Sequence, residues 1–198
     1  RDEGLEAAAR RVRYAIFDAV ASDAVALAHH ADDQVETIFL QLLRGAGPKG
    51  LAAMPSARKP ASRSRDSQTR APILVRPLLS VPRTRIHAYA VELKLAWVED
   101  DSNRNSRYDR NFLRREILPL LDSRFPAYRE TLTRSARNFA DAMLLAEDIA
   151  RIDATKLDNG TIPVALLREL QDARALNLLR HLFDQRQLRM PPRSRLGG

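Results

Sequence analysis

The chain contains no cysteine. Disulfides and thiolate metal centres are therefore excluded. Lysine is scarce, occurring only at 49, 59, 94 and 156, so nearly all the cationic charge is arginine. Glycine is limited to 7 residues. Its one cluster, Gly45-Ala46-Gly47-Pro48-Lys49-Gly50, follows a helical pattern rather than a strand, so it is not a Walker phosphate loop. No apolar run approaches the roughly 18 residues of a membrane span. Arg1-Asp2-Glu3-Gly4 has no signal-peptide pattern. These absences fit a cytoplasmic protein.

What is present points to a polyanion. The 198 residues, 44% hydrophobic and 29% charged, suffice for one large domain or two small ones with a real core. The formal net charge is +8 and the pI about 10.5, and the excess is clustered. Residues 56–70 carry Arg58, Lys59, Arg63, Arg65 and Arg70 against Asp66 alone. Residues 101–137 carry nine arginines against five acids. Such segments suit phosphate contact, which makes affinity fall with salt. An arginine- and alanine-rich composition also follows from genome base composition alone.

Periodicity places the elements. Leu5, Ala8, Val12, Ile16 and Val20 recur at helical spacing and predict a helix over 5–21. Ala24–Ala28 is continuously apolar, as expected for a strand buried on both faces of a parallel sheet. A second helix is expected from Asp33 to Arg44, with Gly45 as its stop. Ser56–Arg70 reads as a basic loop and Ile73-Leu74-Val75 as a strand. Pro82 opens a helix reaching Leu95, with Ile86, Ala90 and Leu93 inward. Residues 96–108 look irregular, and a short helix from Asp109 stops at Leu118, before Pro119. A long helix runs from Pro126 to Leu157, its apolar face made by Leu132, Ala136, Phe139, Met143, Ala146 and Ile149. Asn159-Gly160 marks a turn, and one or two helices fill 164–188. The boundary falls near 119–126, dividing an α/β part, residues 1–122, from an all-helical part, residues 123–198. One strand between two helices is too little for a complete α/β domain, so the chain reads as part of something larger.

The most informative stretch is Ala28-His29-His30-Ala31-Asp32-Asp33-Gln34-Val35-Glu36-Thr37. Titratable groups crowd a strand-to-helix junction, and ligands of open parallel sheets bind at the carboxyl ends of strands. Three readings compete there. Asp33 followed by Glu36 matches a capping box with Asp33 as N-cap, which leaves Asp32 and both histidines unexplained. A transition-metal site has suitable ligand types but the wrong spacing. A nucleotide-handling site would use imidazole on phosphate and carboxylate on Mg²⁺ or on an ammonium.

Resemblance narrows the choice. Leu27–Thr37, Leu42-Leu43-Arg44-Gly45-Ala46-Gly47 and Gly50-Leu51-Ala52-Ala53-Met54 closely resemble the bacterial tRNA(Ile)-lysidine synthetases. Leu5–Tyr14 precedes them in family order. Arg76-Pro77-Leu78-Leu79, Trp97-Val98-Glu99-Asp100 with Ser102-Asn103, and Arg110-Asn111-Phe112-Leu113-Arg114 with Ile117–Leu121 follow. The matches span about residues 4–140.

The resemblance implies an N-type ATP pyrophosphatase of Rossmann-like fold, here its C-terminal portion followed by a smaller helical domain. The family adenylates C2 of the wobble cytidine of tRNA(Ile) with a CAU anticodon. The ε-amine of free lysine then displaces AMP, leaving lysidine and changing AUG to AUA decoding. ATP with Mg²⁺, lysine and tRNA(Ile) are the implied cofactors and partners, with no membrane; a homodimer is compatible. By position, Arg10, His30 and Arg44 would lie near the nucleotide or activated base, while Asp33 and Glu36 would face the lysine. Arg10, His30, Asp33 and Glu36 form the expected catalytic set, with no resident metal. Arg58, Lys59, Arg63, Arg110, Asn111 and Arg114 would serve tRNA or domain contacts, a structural role being equally open for the last three. The family's Ser-Gly-Gly-x-Asp-Ser phosphate loop is absent, and most ATP contacts are expected upstream of Arg1. The chain alone is therefore not expected to turn over ATP. The rival readings are a non-catalytic tRNA-binding module and another PP-loop tRNA-modifying enzyme such as a thiolase.

Overall fold

The computed structural model describes residues 5–58, 71–98, 107–157, 161–186, 188 and 191, and of residues 5–7 and 10 the backbone alone. The expected turn at Asn159-Gly160, the basic stretch 59–70 and residues 99–106 lie outside this set. Two compact units are present, Arg1–Ala136 and Arg137–Gly198.

In the first unit, α1 (Leu5–Asp18) leads to β1 (Ala24–Ala26), α2 (Ala31–Leu43), the single turn α3 (Pro48–Leu51), β2 (Ala57–Arg58), β3 (Ile73–Val75) and α4 (Arg83–Glu92). A continuous helical run follows, composed of α5 (Asp109–Phe112), a π turn (Leu113–Ile117) and α6 (Leu118–Arg124). Helix α7 (Tyr128–Ala154) comes next, then α8 (Val164–Glu169) and α9 (Asp172–Gln185). The described strands form one sheet of order β1-β3-β2. β1 and β3 are parallel, with Val25 opposite Leu74, and β2 is antiparallel to β3, with Ala57 opposite Val75. This is the expected α/β region followed by helices.

Several details depart from the sequence reading. β1 is not buried on both faces: Ala24 and Ala26 are exposed, and among the described residues β1 is an edge of the sheet. α1 ends at Asp18, and its stripe is not a core face, for Val12 is 56% and Ile16 60% exposed. The basic loop begins with a strand, since Ala57 and Arg58 pair with β3. Pro82 caps α4 in extended conformation instead of occupying its first turn, and Leu93, at the other end, is half exposed. The helix from Asp109 does not stop before Pro119. Proline lacks the N–H that would bond the carbonyl of Arg115, and a π turn lets the helix pass it by widening the local hydrogen-bond pattern. On α7 the inward line ends at Ala150 and Asp153 rather than Ile149.

Two cores carry the packing. In the first unit Val35, Leu118 and Tyr128 join α2, α6 and the start of α7, flanked by Phe39, Leu121 and Leu132. Each such buried side chain contributes roughly 1.5–3 kcal/mol of transfer free energy. In the second, Leu166, Leu178 and Leu182 pack with Ala154, Leu157, Ile162 and Leu170. Among the described residues no helix is long and apolar enough to cross a membrane.

Candidate functional site

β1 ends at Ala26 and the chain turns through Leu27–His30 into α2. The helix starts two residues earlier than the Asp33 start read from sequence, and the cap is different. His30 is the N-cap: its Nδ1 accepts from the Asp33 amide at 3.4 Å, and Asp33 Oδ2 accepts from the His30 amide at 2.9 Å. The capping box is thus His30–Asp33, not Asp33–Glu36. Accepting through Nδ1 places the proton of a neutral His30 on Nε2. Thr37 Oγ1 donates to the Asp33 carbonyl at 2.7 Å. Gly45, at φ 66°, closes the helix where expected, with the Ala46 amide bonded to the Gln41 carbonyl.

Relieved of capping, Glu36 lies one turn further along and is completely buried. Arg114 Nε donates to its Oε1 at 2.8 Å, and Arg114 Nη2 reaches the same oxygen at 2.7 Å. Nη2 also lies 3.5 Å from Asp33 Oδ1. Glu36 Oε2 is buried without a hydrogen-bond partner. Burial raises the Glu36 carboxyl above its ordinary value; Arg114 opposes the shift, and the neighbouring Asp33 charge adds to it. One guanidinium therefore bridges the two carboxylates expected to face the amine.

Asp32, unexplained by the sequence, is the structural hub. Its Oδ2 accepts from the backbone amide of Arg83, the first residue of α4, at 2.8 Å. Its Oδ1 accepts from Arg129 Nε at 2.8 Å, near the start of α7. Arg129 Nη2 in turn reaches Asp122 Oδ2 at 2.9 Å, and its guanidinium lies 4.6 Å from the centre of the Tyr128 ring. Burial raises the Asp32 carboxyl, but the Arg83 amide and Arg129 outweigh it and hold the group below its ordinary range. Burial likewise pushes the Tyr128 phenol up to about 12. Gln34 completes the scaffold, for its amide bonds both the carbonyl and the N–H of Met54, at 2.9 and 3.0 Å. Arg129, Asp122 and Gln34 were missed in the sequence, where nothing distinguishes an Asp–Arg spacing of seven or a helical glutamine.

The other expected residues divide clearly. Arg110 is exposed but close enough to Glu36 to lower its pKa, and Asn111 is buried in α5. Arg44 caps the far end of α2, roughly 20 Å along the axis from His30, where it is 4.0 Å from Asp109. Arg58 belongs to β2, its guanidinium 4.9 Å from the centre of the Tyr14 ring. The side chain of Arg10, and all of Lys59 and Arg63, lie outside the described residues. Among the described residues, no three His, Asp or Glu side chains are disposed to hold a metal. Asp32 and Asp33 are already engaged by nitrogen donors, so these residues do not fit a resident Mg²⁺.

Comparison with known proteins bears on this geometry. The family model described as a PP-loop domain matches residues 1–121, and the one described as the TilS substrate binding domain matches 162–198. The chain is 50% identical over 197 residues to a tRNA(Ile)-lysidine synthase of Nitrosomonas europaea, covering 98% of this chain and 41% of that protein. It is 44% identical to the protein of that name from Alkalilimnicola ehrlichii, covering 98% and 42%. Against that of Chromobacterium violaceum it is 48% identical, covering 80% and 35%. The chain thus spans about two fifths, or less, of the length of these relatives.

Proposed function

The chain belongs to the PP-loop family, and on that premise we propose that it forms the lysine-binding wall of an ATP-dependent ligase that converts the wobble cytidine of tRNA(Ile) to lysidine. In this reaction the C2 oxygen of the cytidine attacks the α-phosphorus of ATP and pyrophosphate leaves. The lysine ε-amine then attacks C2, the C2–O bond to the adenylate breaks, and AMP departs.

The observation that carries this reading is a local reversal of charge. Among the described residues, Asp32, Asp33, Glu36 and Asp122 are ion-paired to two guanidiniums, Arg114 and Arg129, with His30 at the helix cap and the exposed Arg110 nearby. Among the described residues the cluster gathers four carboxylates around two paired guanidiniums, in a chain whose net charge is +8. Such a cluster of carboxylates attracts an amino-acid ammonium. Its position beyond the carboxyl end of β1 is where open α/β sheets bind ligands.

Asp33 and Glu36 orient the lysine, and the attacking nitrogen must be neutral. A carboxylate whose proton affinity is raised by burial is suited to receive the ammonium proton. His30, with Nδ1 committed to the helix cap, offers Nε2 to a phosphate or to the activated base. Arg110 and Arg114 stand beside the carboxylates, so tRNA contacts through them would report on the same site. ATP is a co-substrate whose α-phosphoryl group activates the base; the residues of this chain serve the amine side of the reaction. We assign residues 1–122, supported by Arg129 at the start of α7, to this chemistry and the remainder of 123–198 to RNA, and place the reaction in the cytoplasm.

Titration of the isotope-labelled chain with lysine tests the assignment. The Asp33 and Glu36 backbone resonances should shift with lysine and stay fixed with norleucine, which lacks the ε-amine. Equal responses to both amino acids, or none to lysine, would refute a lysine site.

A further inference from the structure

A second cationic feature lies at the end of the neighbouring strand and has no part in the amine site. Arg76 directly follows β3 and is only 4% exposed. Its backbone amide extends the β2–β3 ladder by bonding the Ser56 carbonyl at 2.8 Å. Nη1 donates to the Pro55 carbonyl at 2.7 Å, and Nη2 makes a long contact of 3.4 Å with the Tyr14 hydroxyl. Nε is buried with no partner. Among the described residues none of its contacts is a carboxylate. A buried guanidinium is costly unless an anion compensates it, and this one keeps unused donors.

A second guanidinium faces the same tyrosine. Arg58 stands opposite Leu74 in the antiparallel register, which places it diagonally from Arg76. Opposed residues and those two apart share a sheet face, with diagonal neighbours roughly 7–8 Å apart. Both arginines accordingly meet Tyr14 of α1, Arg76 at its hydroxyl and Arg58 over its ring. Tyr14 and Arg58 are half-buried, so the pair reaches the surface through them.

We propose that Arg76 and Arg58, set around Tyr14 at the carboxyl end of β3, form a binding site for one phosphate group. Phosphate is the anion that planar guanidinium forks bind best, through paired N–H···O bonds. The carboxyl end of a parallel strand is also the usual ligand edge of an α/β sheet. Two sources present this chemistry, an RNA phosphodiester and the polyphosphate of a nucleotide. The described side-chain contacts of Arg76 are not members of the carboxylate cluster, and the site does not depend on the lysine assignment.

The test follows the Arg Nε–H resonances of the full chain by NMR during titration with a short single-stranded RNA, ATP, pyrophosphate and inorganic phosphate. The Arg76 Nε–H signal should move downfield with RNA or with the nucleotide compounds, and which of these acts identifies the source. R76K retains charge but lacks Nε and should lose at least tenfold in affinity for the active ligand. R58Q changes a strand-edge side chain and should lose severalfold. If RNA is the ligand, R58Q should also reduce the slope of log K against log[salt] by about one. Urea melts check that each variant folds; should R76K fail, R58Q decides. A response to inorganic phosphate alone would mean an adventitious ion only and overturn the proposal. So would an unmoved Arg76 signal, or unchanged affinity in the folded variants.

Discussion

Arg114 holds Glu36 end-on. Both Nε and Nη2 converge on Oε1, at 2.8 and 2.7 Å, and Oε2 is left buried and bare. Arg174 and Asp153 in the second unit make the other arrangement, a side-on fork with Nε to Oδ2 at 2.9 Å and Nη2 to Oδ1 at 2.8 Å. The fork satisfies both carboxylate oxygens and is a structural clamp. The end-on contact leaves Glu36 Oε2 as a buried acceptor whose hydrogen-bonding capacity is unused.

Removing one partner of the Glu36–Arg114 pair should cost more than removing both. Arg114→Met strands a fully buried carboxylate and should lower stability by about 2–4 kcal/mol, while Glu36→Leu combined with Arg114→Met should stay within about 1 kcal/mol of the parent. Urea denaturation of the parent, Glu36→Leu, Arg114→Met and the double variant closes the cycle. In binding assays, Glu36→Gln should weaken lysine at least tenfold and leave RNA affinity within about twofold.

Acid should act on the two neighbouring carboxylates with opposite sign. Asp32 is held below its ordinary 3.8, so its stabilisation is present above that pH and is lost as pH falls through the folded value. Glu36 is raised above its ordinary 4.5, so the folded state binds its proton more tightly. Its contribution therefore declines as pH rises from 4.5 through the folded value. Urea midpoints between pH 2.5 and 7 should show Asp32→Asn flattening the acid limb and Glu36→Gln flattening the decline above 4.5. The reverse assignment of slopes would contradict the hydrogen bonds described.

In the second unit Asp153 is wholly buried and Arg174 is 46% exposed. Arg174→Gln should destabilise that unit by about 2 kcal/mol, less than for a pair withdrawn entirely from water. Amide exchange should quicken in α9 and stay unchanged in α2. A uniform increase across the chain would show that the units unfold together.

Much of the site was legible because its residues are close in sequence. His30, Asp33 and Glu36 lie within two turns of one helix, and 3.6-residue periodicity already places them together. The cap was misread because Asp33–Glu36 and His30–Asp33 have the same spacing, and only the backbone at His30, at φ −124°, distinguishes them. The helix through Pro119 was misread because a π turn has no periodic signature of its own.

By itself the sequence determined the strand-to-helix junction, the identity of its carboxylates, the basic character of the chain and the family, since each is written in contiguous residues. Tertiary structure alone decided what those carboxylates touch. Arg114 and Arg129 stand 78 and 97 residues beyond Glu36 and Asp32, and no local rule selects them from the chain's other arginines. The same holds at Arg76, where burial and strand register, neither of them a property of the residue type, turn an ordinary arginine into a cation awaiting its anion.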